Sequence, residues 1–428
     1  MSFNNFTTNI LSITDENITF LDETYKTTVN KLNTIVFVAK LTYKAKSCPK
    51  CGNCDDKKII KNGSKNVMIR ISPINGQPAA IDIKKQRFLC KECKSTFIAE
   101  TSLAPKFASI SNRLKMNILR DLSRKVSEKD IASINNVSHA TVSRYIDKDF
   151  KKYNPNKNYL PENLSFDEFK STKDSKGSMS FIFSDLDKKK VIDIVENRQQ
   201  YYLEKYFDKF SKKARNMVKT VCVDMYKPYI NLINKKFPNA VIIFDKFHIL
   251  NHLSRALNKT RINAMNKFSV YSMQYKRLKR YWRLILKNFN ELDHLHYNKT
   301  THFNTFKSQR DIVEDSVSCD ELLQNTYDAY QIILNDFQNG NIDGLKTHLK
   351  ILISQVSPQM KTAFKTLIEN FKYVENTMKY NYTNGFTEGI NNFIKVLKRI
   401  AFGYKSFFHF RNRILITLNL KQILQPIV

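Results

Sequence analysis

Three acidic side chains, far apart in the chain, have the type and setting needed to hold a divalent cation. "LSFDEF" (164–169) reads as a strand carrying Asp167, and "KTVCVDMYKPY" as a short apolar strand ending in Asp224. The third, Glu388, stands alone among amides, glycines and aromatics in "NYTNGFTEGINNF" (381–393), at the head of a helix. Two carboxylates brought together repel, and one pKa rises unless a cation lies between them. Hard oxygen donors of this kind select Mg2+ or Mn2+. A glutamate in a first helical turn also favours the helix dipole, by roughly a few tenths of a kcal/mol. The dipole does not account for the face below it, which continues through Asn391, Asn392, Lys395 and Arg399 opposite an apolar stripe at 390, 393, 394, 397, 400 and 401.

A second constellation is made of sulfur. Cys48-x-x-Cys51 in "SCPKCGNCDD" and Cys90-x-x-Cys93 in "FLCKECKSTF" are two knuckles, each a tight turn that aims two thiolates at one point. Together they complete the four-sulfur tetrahedron that structural zinc prefers. Gly52 supplies the positive φ that the first turn needs. Cys54 is an alternative to Cys51, although Gly52 favours the Cys48–Cys51 pair. Between the knuckles, "KKIIKNG" and "QPAAIDIKKQRFLC" read as basic strands with turns near Asn62-Gly63 and Asn75-Gly76. The remaining thiols, Cys222 and Cys319, read as ordinary buried or half-buried side chains.

The acids require a scaffold. Beyond a polar, proline-bearing linker at 151–163, "LSFDEF", "GSMSFIFSDLD" and "KKVIDIVENR" form a strand meander turning near Asp187-Lys188. A helix follows over 199–218, then the Asp224 strand, a helix over 227–236, and the strand "NAVIIFDKFHI" with Asp245 at its end and His248 just beyond. The order β-β-β-α-β-α-β-α describes a mixed five-stranded sheet in which the first and fourth strands are neighbours. Asp167 and Asp224 can then converge at one edge, with Asp245 and His248 as secondary members of the site.

Lysine and arginine outnumber the acids 71 to 39, a net charge of +32 over 428 residues. Such a charge opposes compaction and points to a polyanionic partner. After Pro105, an amphipathic basic segment leads into "SEKDIASINNVSHATVSRYIDKDF". Ser127 and Asp130 form a capping box, Ala132 lets two helices approach, and Asn136 suits a left-handed turn. Ser138 caps a second helix whose outer face offers His139, Thr141, Ser143 and Arg144 to DNA bases and phosphates. This reads as a helix-turn-helix. From 249 to about 375 strand signals almost vanish. Residues 251–310 hold 13 Lys and Arg against 2 acids, whereas 311–340 hold seven acids and no base. In the basic half, "YKRLKRYWRLILKNF" sets Trp282 among arginines and lysines, a mixture suited to a DNA backbone and an unstacked base.

An Asp in the first strand, an Asp after the fourth and a Glu on the late helix "NGFTEGINNFIKVLKRIAFGY" resemble the DDE transposases with a ribonuclease H-like core. With the cysteine head, the helix-turn-helix, "FDKFHI" and the lone tryptophan, the whole layout is similar to the ISL-type bacterial insertion-sequence transposases over about residues 45–420. The resemblance implies a multidomain α+β chain: an N-terminal arm (1–44), a zinc ribbon (45–100), a helix-turn-helix (105–152), a catalytic core (160–250 and 378–428) and an all-helical insertion (251–377). It implies two Mg2+ or Mn2+ ions held by Asp167, Asp224 and Glu388, with Lys395, Lys398 and Arg399 on DNA phosphates. Cleavage at element ends and strand transfer into target DNA would follow, by a homodimer in the bacterial cytoplasm, associated with the nucleoid. The alternative is a silent DNA-binding regulator descended from such an enzyme. No membrane-length apolar run and no signal pattern occur in the sequence.

Overall fold

The computed structural model describes residues 3–29, 31–150, 153–380 and 382–424. Parts of the expected arm (1–2 and 30), of the helix-turn-helix and linker (151–152), of the glutamate stretch (381) and of the C-terminal segment (425–428) lie outside the described residues. The chain divides into two units, residues 1–153 with 393–428, and residues 154–392.

The first unit opens with helix α1 (Phe3–Leu11) and a five-stranded sheet of β1 (Ile18–Val29), β2 (Leu32–Leu41), β3 (Ile59–Ile74), β4 (Gln77–Cys90) and β5 (Thr96–Ile98). Its order is β1-β2-β4-β3 with β5 on β4, and β2 runs parallel to β4. Residues 1–44, expected as an arm, thus supply a helix and two strands of this sheet. The reason is in "LNTIVFVAKL", whose β-branched residues fit a pleated, half-buried surface; Val36, Ala39 and Leu41 are buried. Asn75-Gly76 makes the β3–β4 turn, with both residues at positive φ. Asn62-Gly63, expected as a turn, is a bulge within β3: the register slips between Lys61 and Ser64, and Gly63 takes φ 70°.

Three short helices follow: α2 (Asn112–Asp121), α3 (Glu128–Ile134) and α4 (His139–Phe150). Ser127 and Asp130 cap α3 reciprocally, an arrangement that stabilises by about 1 kcal/mol. Asn136 turns the chain at φ 51°, and Ile118, Ile131, Ala132, Val142 and Ile146 share one core.

The second unit is built on β6 (Asn163–Lys170), β7 (Met179–Asp185), β8 (Lys190–Val195), α5 (Gln200–Phe207), α6 (Lys212–Asn216), β9 (Thr220–Val223), α7 (Lys227–Lys236), β10 (Val241–Phe244) and α8 (Lys246–Met265). The strands form one mixed sheet ordered β10-β9-β6-β7-β8. β6, β7 and β8 meander antiparallel, while β9 and β10 run parallel to β6, so the first and fourth strands are neighbours. All four residues of β9 are buried, as a central parallel strand requires. On one face, Phe166, Phe181, Phe183, Phe207 and Phe237 interlock edge to face and stacked; the Phe166 and Phe181 centroids are 5.0 Å apart.

The insertion holds α9 (Met273–Arg280), α10 (Trp282–Ile285), the hairpin β11 (Asn298–Lys299) with β12 (Phe306–Lys307), α11 (Gln309–Val317), α12 (Glu321–Asn339), α13 (Ile342–Leu352), α14 (Pro358–Glu369) and α15 (Phe371–Lys379). The small hairpin corrects the all-helical expectation. The expected boundary at 250/251 falls inside α8, whose sequence has no Pro or Gly to stop it and which buries Ile249, Leu253, Leu257 and Ala264 along one face. Sheet and insertion share one buried core. α15 covers the sheet edge at β10, where Asn376 and Thr377 donate to the carbonyls of Ile242 and Phe244.

Two helices finish the chain, α16 (Gly385–Ile400) and α17 (Phe407–Leu424). Residues 393–428, expected with the catalytic core, group with the first unit. A buried arginine explains much of this. Arg413 is fully inaccessible, and its guanidinium donates to the carbonyls of Leu122, Arg124 and Val126 and to Thr417 Oγ1, satisfying acceptors that the end of α2 leaves open. Nearby, the His409 ring bridges Glu128 Oε1 (2.9 Å) and Asp147 Oδ1 (2.8 Å). Burial alone would lower the His409 pKa, but these two carboxylates raise it to about 9. Among the described residues, no helix is long and apolar enough to cross a membrane.

Two outcomes follow. Arg413→Ala leaves several buried carbonyls unsatisfied and costs about 3 kcal/mol, read from the urea midpoint. Because the folded-state pKa of His409 is raised, its stabilisation is complete below the ordinary histidine value and lost as pH rises through about 9. Melting temperature should therefore fall between pH 7 and 9.5 more steeply in the wild type than in His409→Gln; equal slopes would contradict the assignment.

Candidate metal centres and catalytic site

The pairing of β3 with β4 sets Ile59 opposite Cys90, which carries the second cysteine knuckle towards the first. The Sγ atoms of Cys48, Cys51, Cys90 and Cys93 all lie within 4.8 Å of one another; Cys48–Cys93 is 3.6 Å and Cys51–Cys90 is 3.7 Å. The Gly52 N–H closes the first turn on the Cys48 carbonyl (2.9 Å), with φ 74° at the glycine. Backbone N–H groups of Cys51 and Lys50 help to hold the Cys48 thiol down at about 6. Four converging soft donors fit tetrahedral Zn2+. Cys54 lies outside the cluster, its thiol directed to the Gly52 carbonyl at 3.2 Å, so Cys51 is the member of the four-sulfur set.

The acids gather at the C-terminal ends of the parallel strands. β6 and β9 pair Ser165 with Cys222, and β9 and β10 pair Val223 with Phe244. Continued by one or two residues, this register brings Asp167, Asp224 and Asp245 level on three adjacent strands. Period-2 alternation sets them on the face opposite Phe166, Val223 and Phe244, which point into the aromatic core. Asp224, Asp245 and His248 each offer a donor atom within 4.8 Å of the others. His248 Nε2 is 3.1 Å from Asp224 Oδ1 and 3.8 Å from Asp245 Oδ2. Asp167 and Glu388 are not members of that tightest set.

Helix α16 and the residue just before it nevertheless reach two of the aspartates. The Asn384 N–H points at Asp245 Oδ1 (3.4 Å), and Asn391 Nδ2 donates to Asp167 Oδ2 (2.8 Å) and the Glu168 carbonyl (3.2 Å). Between them Thr387 bonds Ser165 (2.6 Å) and Ser184 (3.0 Å). Glu388 is four residues after Asn384 and three before Asn391, so it shares their face. It is exposed, and its charge helps to raise the Asp245 pKa. Asn391, expected on the outer edge of this helix, is instead buried against Asp167.

Electrostatics match a cation site. Burial, and secondarily the Asp224 charge, push the Asp167 carboxyl up to about 7 against the pull of the Glu168 N–H. Burial and the charges of Asp245 and Glu168 push Asp224 to about 7, and Asp245 is raised mainly by burial. Such a group of acids ionises readily only when a positive charge joins it. Oxygen donors with one imidazole fit a hard divalent ion such as Mg2+ or Mn2+. A pocket beside Asp224 is lined by Glu168, Arg198, Tyr226, His248 and Arg255. Within it Glu168 is held by Arg198 and by the Tyr229 hydroxyl (2.8 Å).

Of the residues expected on DNA, Ser138, His139 and Arg144 are exposed. Thr141 is buried against Ser138 (2.9 Å) and Ser143 donates to Glu128 (2.9 Å), because both lie on the inner side of α4. Lys395 and Arg399 are exposed, while Lys398 rests 5.3 Å from the Phe410 ring centroid. Trp282 is 37% exposed beneath the Arg283 guanidinium. Sequence reasoning missed Asn384, Thr387 and the inward role of Asn391; their spacing around Glu388 was the available signal. Nothing local marked Arg198 or Tyr229.

Residues 44–93 match a family described as the zinc-finger of transposases of IS204, IS1001, IS1096 and IS1165. Across 397 residues, 87% of this chain and 88% of the other, the sequence is 22% identical to the transposase for insertion sequence element IS1001 of Bordetella parapertussis. A shorter match, 28% identical over 113 residues, is to an ATP-dependent protease of Lactococcus lactis subsp. lactis and covers 35% of that protein. Residues 164–414, more than half of the chain and the span containing all four acids, match the DDE transposase family of the ISL3 type, and the protein belongs to that family.

Proposed function

We propose that this transposase binds the terminal repeats of an insertion sequence, cuts DNA there, and joins the freed 3′ ends to target DNA. The supporting observation is the alignment of Asp167, Asp224 and Asp245 on three adjacent strands, with the Glu388 face of α16 anchored to it through Asn384 and Asn391. Its strand order, with an antiparallel meander followed by two parallel strands, supports reading the sheet as a ribonuclease H-like core. Asp167, Asp224 and Glu388 would hold two Mg2+ or Mn2+ ions, with Asp245 and His248 as close auxiliaries. The chemistry such ions would supply at these carboxylates is Lewis acidity for an in-line displacement at phosphorus.

The chain's own residues do the positioning. Asn391 fixes the Asp167 carboxylate, leaving the cation-facing geometry independent of side-chain rotation. The Arg198–Glu168–Tyr229 group holds the wall of the pocket next to Asp224, and Arg255 offers a cation at its rim for a DNA phosphate. The α3–α4 pair acts as a helix-turn-helix with Ser138, His139 and Arg144 towards DNA, joined by Lys395, Lys398, Arg399 and Trp282. Thr141 and Ser143 hold α4 in place. Two element ends require two active sites, so a homodimer on DNA, in the bacterial cytoplasm, completes the reading.

The decisive comparison is wild type against Asp224→Asn on a labelled element end with Mg2+. Cleavage should fall about a hundredfold or more while DNA affinity changes less than about twofold; Mn2+ should raise the melting temperature of the wild type alone. Undiminished cleavage by the variant would remove Asp224 from the chemistry, and binding without cleavage by the wild type would favour the silent regulator. Metal analysis should find one Zn2+ per chain, retained in Cys54→Ser and lost with cooperative unfolding of the ribbon in Cys90→Ser. Retention of zinc by Cys90→Ser would reassign the ligands.

A further inference from the structure

Among the described residues, nine non-glycine residues have positive φ, and two are phenylalanines, Phe107 and Phe402. Both are almost wholly exposed, 96% and 100%. The left-handed region suits Gly, Asn and Asp and is costly for a bulky side chain. At Phe402 the cost is imposed by the end of α16. The Gly403 N–H bonds the Lys398 carbonyl (2.9 Å) and the Phe402 N–H bonds the Arg399 carbonyl (3.1 Å), the Schellman pattern that normally takes glycine at the position Phe402 occupies. Here the glycine is one residue later, Gly403 at φ 99°. The loop is fastened on its far side, where the Tyr404 ring stacks on Phe410 at 4.5 Å. The fold thus holds a phenylalanine rigidly outward and gains no burial from it.

The surroundings identify what it meets. The loop segment 399–405 contains no acid, and Arg399 and Lys405 flank the ring as exposed bases. An apolar side chain presented among cations suits a surface that is anionic outside and stacked aromatic inside. We infer that Phe402 is a wedge that enters double-stranded DNA at a base step and stacks on the separated base, with Arg399 and Lys405 on the adjoining phosphates. The inference rests on the chain's binding DNA, and not on its cation chemistry.

The test uses the full zinc-loaded chain without added Mg2+ or Mn2+. Its probes are two short duplexes of one sequence, one fully paired and one with a single mismatched step holding 2-aminopurine. Wild type should bind the mismatched duplex about tenfold more tightly and change its 2-aminopurine emission. Phe402→Gly should melt at the same or a higher temperature, since glycine relieves the left-handed backbone, yet lose the preference and the emission change. Phe402→Trp should keep both. A marked drop in melting temperature in Phe402→Gly, or a change in its oligomeric state, would make the ring a structural or subunit contact and overturn the wedge. So would an undiminished preference in that variant, or a wild type that binds both duplexes equally. A wild type that binds neither would overturn the DNA reading as well.

Discussion

Like charges forced to one level govern the catalytic unit. Parallel pairing of β6, β9 and β10 leaves Asp167, Asp224 and Asp245 side by side at the strand ends, and burial withholds the water that would separate their charges. Much of the surrounding structure manages this conflict. The opposite face of the sheet is a dense aromatic core, which fixes the strands against the repulsion. On the other face a ladder of hydroxyls and amides, Ser165, Ser184, Asn384, Thr387 and Asn391, meets the acids, beside the buried Ile182, Ile194 and Ile243. The amide ladder keeps one oxygen of Asp167 oriented, and the exposed Glu388 stands on the same helix face as Asn384 and Asn391.

The two candidate metal sites divide along ligand chemistry. The ribbon uses four converging sulfurs on tight turns, with backbone N–H groups favouring the Cys48 thiolate, which selects zinc and builds structure. The strand ends use oxygens and an imidazole on rigid secondary structure, which leaves room for exchangeable ions and for substrate oxygens. Asp167 lies within β6, Asp224 directly follows β9, and Asp245 caps the start of α8, so the strand register fixes where each carboxylate stands.

Much of this was legible because the relevant signals are local. CxxC spacing, the Ser127–Asp130 box, the positive φ at Asn136 and the strand order around Asp167 and Asp224 each depend on a few neighbouring residues. What escaped depends on partners distant in sequence. The N-terminal strands look like a loose arm until β2 finds β4. Asn391 looks solvent-facing until α16 meets β6. Thr141 and Ser143 look like base readers until α4 settles on its neighbours, and residues 393–428 group with the first unit through the buried Arg413, the His409 bridge and Ile416 in the shared core. The Asn62-Gly63 bulge is a case where the residue chemistry was read correctly and its context was not.

The central claim is that Asp167, Asp224 and Glu388 share divalent cations. Anomalous scattering from crystals of the full chain grown on an uncleaved element end with Mn2+ tests it most directly. The account predicts manganese peaks about 2.1–2.3 Å from carboxylate oxygens of Asp224 and of at least one of the other two, with Glu388 drawn in from its exposed position. Peaks lying elsewhere, or ordered DNA beside these carboxylates with no metal between them, would contradict it.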